Sequence, residues 1–201
     1  VTSTLSQNGT GGISGGSVMV ESTGSIGGAG TTSFGTLYVG SAATTQTTTA
    51  GGTITVKNRV RIPQSSGTNT FDITSRTLNV SGVDVSGETG LIWVGSSEVF
   101  TVTSSTVIYN GIAQSTVSAL TYNNLEVNPG ASSTTIRLGT GTITVNGNFF
   151  AGDGSTASAV VNATRFNPTL DVNGNFTIRN NTTYQASNTA SSLLIAGNFD
   201  N

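Results

Sequence analysis

Three near-copies of one five-residue text constrain this chain most: VNGNF at 145–149, VNGNF at 172–176 and IAGNF at 195–199. Asn-Gly between apolar residues is the strongest local signal for a two-residue hairpin turn, which needs positive φ at both central positions. The equivalent pair is Ala196-Gly197 in the third copy, Ser81-Gly82 earlier and Lys57-Asn58 earlier still. Ala and Lys resist positive φ. A corner that accepts substitution fits these variants better, so that each copy stacks on the next instead of folding back on itself. Asn148, Asn175 and Asn198 then lie above one another as an amide ladder, and Phe149, Phe176 and Phe199 as an aromatic ladder.

The copies belong to a wider phrase of Thr, an aliphatic, any residue, Val, a small or polar pair and a second apolar strand. It is written TLYVGS at 36–41, TITVKNRVRI at 53–62, TLNVSGVDV at 77–85, TITVNGNFF at 142–150, TLDVNGNFTI at 169–178 and SLLIAGNF at 192–199. Its marker residues, Val39, Val56, Val80, Val94, Val127, Val145, Val172 and Ile195, recur at uneven intervals of roughly 20 residues, as a β-solenoid with loops of varied length allows. Apolar and polar residues alternate over four to six positions and stop at Gly, Asn or Ser clusters, with no helical period. The expected fold is all-β, a right-handed parallel β-helix of roughly eight to ten irregular coils. Residues 31–201 form the solenoid, and the Gly/Ser-rich 1–30 an N-terminal cap or inter-subunit segment. The alternative is an antiparallel β-sandwich of a filament subunit, in which Asn-Gly is a hairpin.

Composition narrows the chemistry. Charged residues are 8% of the chain against about 25% in typical domains, so the surface is polar but nearly uncharged. A formal net charge of −2 gives no electrostatic footprint for nucleic acid or an anionic membrane. Cys and His are both absent, which removes disulfides, thiolate zinc sites and His-based triads. No run of about 18 apolar residues exists to span a bilayer. The opening VTSTLSQNGT lacks an initiating Met, a basic segment and an apolar segment, so any signal peptide is expected to have been removed or to lie upstream.

The stretch STVIYNGIAQSTVSALTYNNLEVNPG at 105–130 and the VNGNF copies resemble the repeats of large bacterial surface proteins of the adhesin type. They are similar to filamentous-haemagglutinin-like and autotransporter-like β-solenoids. The resemblance rests on Tyr109-Asn110-Gly111, Gln114, Thr116-Val117 and Tyr122-Asn123-Asn124-Leu125 and covers residues 100–201. It implies a secreted, repetitive, surface-exposed solenoid and no catalytic residue.

The remaining candidates have bland counterparts. Asp72, Asp84, Glu88, Asp153 and Asp171 are weighed as carboxylates for polysaccharide cleavage, but no acidic pair is adjacent, and solvated strand ends account for them. Asp153 in AGDGST, and Asp84 with Glu88, are weighed as Ca²⁺ ligands; the acidic GGxGxD repeat is absent and an Asp-Gly turn accounts for Asp153. Lys57, Arg59 and Arg61 alternate, which puts them on one strand face to meet an acidic glycan or a neighbouring subunit, or to discourage wrong strand pairing. Tyr38, Trp93, Tyr109, Tyr122 and Tyr184 are weighed as a sugar-stacking row, beside the plainer reading of core or corner residues; alternation gives Trp93 the opposite face from Ile92 and Val94, which makes it the aromatic to inspect for exposure. Sequons at Asn8, Asn79, Asn162, Asn175, Asn180 and Asn181 are what so much Asn, Ser and Thr yields by chance.

The chain stops at GNFDN, directly after a repeat strand, so the last coil reads as uncapped. The sequence therefore leads to a non-enzymatic structural component of an extracellular or cell-surface fibre. It needs no cofactor or metal and partners itself, as a homopolymer or within a longer parent chain. A glycan-binding adhesin module on the same rod is the second reading.

Overall fold

The computed structural model describes residues 16–21, 23–27, 30–40, 45–83, 90–190 and 192–201, with the backbone of 3–5. The chain divides into two units, residues 1–80 with 92–105, and residues 81–91 with 106–201. Half of the expected 1–30 segment lies outside the described residues. Among the described residues there is no helix, and the fold is a parallel β-solenoid of about seven turns.

The strands of the first unit are β1 (Ser3–Leu5), β2 (Ser17–Val20), β3 (Gly24–Ile26), β4 (Thr31–Phe34), β5 (Thr36–Val39), β6 (Gln46–Ala50), β7 (Thr53–Val56), β8 (Val60–Ile62), β9 (Asn69–Asp72), β10 (Thr77–Val80), β11 (Ile92–Val94) and β12 (Val99–Thr101). They stack as three parallel sheets, β1-β3-β6-β9-β12, β2-β5-β8-β11 and β4-β7-β10. From β4 onward each turn of chain visits the three in the same order.

The second unit holds β13 (Thr106–Tyr109), β14 (Ser115–Val117), β15 (Thr121–Tyr122), β16 (Asn124–Val127), β17 (Thr135–Leu138), β18 (Thr142–Val145), β19 (Phe149–Ala151), β20 (Ala159–Asn162), β21 (Thr169–Val172), β22 (Phe176–Ile178), β23 (Thr182–Gln185), β24 (Leu193–Ile195) and β25 (Phe199–Asp200). Its sheets are β13-β16-β19-β22-β25, β14-β17-β20-β23 and β15-β18-β21-β24, again parallel. Parallel pairing between turns replaces the antiparallel sandwich.

The count of eight to ten coils is corrected to about seven. The phrase Thr-aliphatic-x-Val does not mark one sheet, because any sheet of a three-sided coil asks for the same alternation. Val80 in β10 and Val94 in β11 fall in one turn, as do Val127 in β16 and Val145 in β18. Counting one coil per phrase overcounts wherever two sides of a turn carry it.

Alternation sets the core. Ile54, Val56, Leu78 and Val80 in the first unit, and Leu125, Val127, Ile143, Val145, Leu170 and Val172 in the second, are 0–1% exposed while the Thr, Asn, Glu or Asp between them faces out. Period-two burial directs one set of side chains inward from every sheet. Thr, Val and Ile recur because β-branched side chains suit the pleat.

At the Asn-Gly corners the backbone bonds run from turn to turn. Asn173 N–H donates to the Val145 carbonyl at 2.8 Å, Gly174 N–H to the Gly147 carbonyl at 3.0 Å and Gly197 N–H to the Gly174 carbonyl at 3.1 Å. Asn146, Gly147, Asn173 and Gly174 all keep negative φ, which excludes a type I′ turn. Glycine is needed here for closeness. A Cβ on Gly174 would lie 2.7 Å from the Gly147 carbonyl carbon and 2.8 Å from Asn148 Oδ1, and one on Gly197 would meet Gly174 and Asn175 in the same way. The carbonyl of each turn passes where the side chain of the next would stand.

Candidate functional site

Two constellations stand out, one in each unit. In the first, the sheet β2-β5-β8-β11 turns a continuous row of large side chains outward. Val60 and Ile62 are fully buried, so Arg61 between them faces out; Leu37 and Val39 do the same for Tyr38. Ile92 is 3% exposed while Trp93 is 44% exposed. Strand register aligns Met19 with Tyr38, Tyr38 with Arg61 and Arg61 with Trp93. The Arg61 guanidinium lies 5.9 Å from the Trp93 ring centroid, within reach of a cation–π contact. Tyr38 and Arg61 are half-buried, while Met19 and Trp93 at the two ends of the row are exposed.

The basic triplet is only partly on this face. β7 ends at Val56 and β8 begins at Val60, so Lys57 sits at the corner between two sheets, its N–H donating to the Phe34 carbonyl at 2.8 Å. Arg59 precedes β8, its carbonyl accepting from Leu37 N–H at 3.0 Å. Strict alternation through 57–61 fails because the chain bends at Lys57-Asn58.

Beyond β11, Glu98 is buried and stitches its own loop to the one before β9. Its carboxylate accepts Ser65 N–H at 2.8 Å, Ser65 Oγ–H at 3.1 Å, Ser97 Oγ–H at 3.2 Å and the N–H of Asn69. Burial alone would raise this carboxyl. The donors from Asn69, Ser65 and Ser97 outweigh it and bring Glu98 below the usual glutamate value. Nothing in SSEVF announces this role, because the partners lie on another turn.

In the second unit the repeated Asn residues hold the turns together. Asn148 N–H donates to Asn124 Oδ1, Asn175 N–H to Asn148 Oδ1 and Asn198 N–H to Asn175 Oδ1, each at 2.9 Å. Asn124 is a fourth member that the VNGNF comparison omits; its signal is the Asn before the apolar residue in NNLEV. Phe149 and Phe176 stack with centroids 4.9 Å apart, and Phe176 and Phe199 5.4 Å apart. Phe149 and Phe176 are fully buried, whereas Phe199 is 56% exposed.

The other tyrosines do not join an outer row with Trp93. Tyr109 and Tyr122 are fully buried, Tyr109 on the inward face of β13 with Val107, and Tyr122 inward in β15 beside the outward Thr121. Ser118 N–H donates to Tyr109 Oη at 3.2 Å, Tyr122 Oη–H donates to the Ser118 carbonyl at 2.8 Å, and the two hydroxyls lie 3.0 Å apart, so Tyr109 donates to Tyr122. Burial pushes both phenols up, Tyr122 well above its ordinary value. Tyr184 packs edge-on against Phe149 and Phe176, and burial pushes it up to about 12.

The carboxylates are dispersed. Asp72 faces out from β9 and accepts Thr74 N–H at 2.8 Å, and Asp171 faces out from β21. Asp153 accepts the N–H and hydroxyl of both Thr156 and Ser155 in a turn, which holds it well below the usual carboxylate range. Asp84 and Glu88 lie outside the described residues. Among the described residues no group of three or more His, Cys, Asp or Glu side chains could hold a metal ion, and no helix is long and apolar enough to cross a membrane. No family model matches this sequence, and it matches neither a curated protein nor a solved structure.

Proposed function

We propose that this protein is a non-enzymatic structural component of an extracellular or cell-surface fibre, lengthened by end-to-end or strand-mediated association with like turns. One observation supports this reading above the rest. From Asn124 to Asn198 every turn of the second unit is joined to the next by the same amide bond, and the β25 turn offers those groups again, with Phe199 exposed. A further turn stacked there, from a second copy or from more of the same chain, would bury Phe199 and give Asn198 Oδ1 a donor. The low charge suits such stacking, since turns ~4.8 Å apart align like residues and would set like charges against each other.

The test is electron microscopy and sedimentation of the native protein with its natural flanking sequence, beside Phe199→Lys. Rods that lengthen with concentration, and shorten when Lys interrupts the stack, are expected. A native protein that holds no further turns of this kind and stays monomeric at every concentration refutes the proposal.

A further inference from the structure

We infer that the Asn-Gly corners of the second unit are modification sites held silent by stacking. Asn146 and Asn173 deamidate to aspartyl and isoaspartyl residues when turns part, and conversion at Asn173 keeps its turn from closing again. This holds for any stack of these turns, whether or not copies associate.

The chemistry needs only water. The Gly174 nitrogen attacks Cγ of Asn173, the new N–C bond closes a five-membered succinimide ring, and the side-chain nitrogen leaves as ammonia with the proton of the Gly174 N–H. Water then opens the ring at either carbonyl, giving an aspartyl or an isoaspartyl link. Glycine makes the attack easiest, because it has no Cβ to crowd its own nitrogen. Asn148-Phe149 and Asn175-Phe176, in the same repeats, lack that freedom.

Asn146 and Asn173 are exposed, so water already reaches both amides and the restraint falls on the nucleophile. Gly147 N–H donates to the Asn123 carbonyl at 2.7 Å and Gly174 N–H to the Gly147 carbonyl at 3.0 Å. A nitrogen bonded to the turn below cannot swing onto its own side chain without breaking that bond. At Asn173 the leaving group is engaged as well, since Nδ2 donates to Asn146 Oδ1 at 3.3 Å. Cyclisation therefore waits for local opening of the corner.

The products do not fit back. An isoaspartyl link adds a methylene to the main chain, at a corner where one Cβ on Gly174 would already stand 2.7 Å from the Gly147 carbonyl carbon. Either product at Asn173 also replaces the Nδ2 donor with a carboxylate oxygen, which sets acceptor against acceptor at Asn146 Oδ1. An aspartate at Asn146 would still accept from Asn173 Nδ2, so the two sites are unequal. The third copy carries Ala196 at this position, a residue that cannot react.

Trypsin separates the two sites: cleavage after Arg137, Arg165 and Arg179 leaves Asn146 in 138–165 and Asn173 in 166–179. The protein is aged in mildly alkaline buffer, either folded or in guanidinium chloride with unfolding checked by circular dichroism. Both peptides are then followed by mass spectrometry and enzymatic isoaspartyl methylation. Asn146 and Asn173 should convert at least about tenfold more slowly folded than unfolded, because only the opened fraction reacts. In the unfolded chain Asn173 should outpace Asn175 of the same peptide.

Chain deamidated at Asn173 and returned to native buffer should unfold at a lower denaturant midpoint than the unaged protein. Asn173→Asp should lower that midpoint more than Asn146→Asp, and Asn173→Ala should fold and show no conversion at this position. Equal folded and unfolded rates at Asn173 overturn the inference. So does faster conversion at Asn175, a deamidated chain as stable as the unaged one, or a larger loss from Asn146→Asp.

Discussion

Gly174→Ala separates two explanations of the Asn-Gly corner. Gly174 has negative φ, so its backbone accepts alanine, and on that ground alone the substitution would stabilise by about 0.4–1 kcal/mol through the unfolded chain. The turn below reverses the sign. The new Cβ would stand 2.7 Å from the Gly147 carbonyl carbon and 2.8 Å from Asn148 Oδ1, distances that real Cβ atoms do not adopt. Relief requires lifting one turn from the next, which stretches the 3.0 Å bond from Gly174 N–H to the Gly147 carbonyl and the 2.9 Å bond from Asn175 N–H to Asn148 Oδ1.

Overpacking of this kind costs about 1–3 kcal/mol, and each weakened hydrogen bond up to about 1 kcal/mol more. Offset by the unfolded-state gain, the net loss is about 1–3 kcal/mol. At this chain length that lowers Tm by roughly 2–12 °C, measured by thermal and urea unfolding followed by circular dichroism. Gly174→Asn serves as the second arm. Asn tolerates positive φ, so a primed turn would accept it, whereas the crowded corner should reject it as strongly as Ala. Gly16→Ala, where a Cβ meets nothing within 4 Å, is the control, with a change inside about 0.5 kcal/mol. A neutral or stabilising Gly174→Ala, or a mild Gly174→Asn beside a severe Ala, refutes the close-approach account.

Phe176→Ala, in the fully buried middle of the aromatic stack, should cost about 3–5 kcal/mol, while Phe199→Ala at the exposed rung should cost under about 1 kcal/mol; equal losses in urea unfolding would contradict the stack as drawn. Glu98 has a folded pKa below its unfolded one, so its contribution is present above about pH 4.3 and fades as pH falls through the folded value. Glu98→Gln should therefore be less stable than the parent at pH 7, with the gap closing toward pH 3 in paired urea titrations. Tyr109 and Tyr122 have raised folded pKa values, so their contribution is whole below about pH 10 and is lost as pH rises toward those values. Urea midpoints should drop between pH 9 and 11 with tyrosinate absorbance rising alongside unfolding; free titration of every tyrosine near pH 10 without loss of structure would contradict their burial.

The sequence by itself determined that this chain is built of short strands, and which residues of each strand face inward. TITV and TLDV alternate so regularly that burial of Ile143, Val145, Leu170 and Val172 follows from period two, as does the placing of Trp93 on the face opposite Ile92, while its exposure came from the structure. The sequence also favoured a corner over a hairpin at Asn-Gly, because Ala196-Gly197 and Lys57-Asn58 stand in for it, but it left the antiparallel sandwich open. Beyond the stacking expected of the VNGNF copies, only the tertiary structure decided which strand lies on which. A three-sided coil asks for one pattern on all its sides, so the phrase could not say that Val80 and Val94 share a turn. Nor could spacing show that Arg61 lies between Tyr38 and Trp93, or that Glu98 reaches Ser65 and Asn69. The connections differ in length from turn to turn, and register is set by backbone bonds between strands far apart in the chain, which no local pattern encodes.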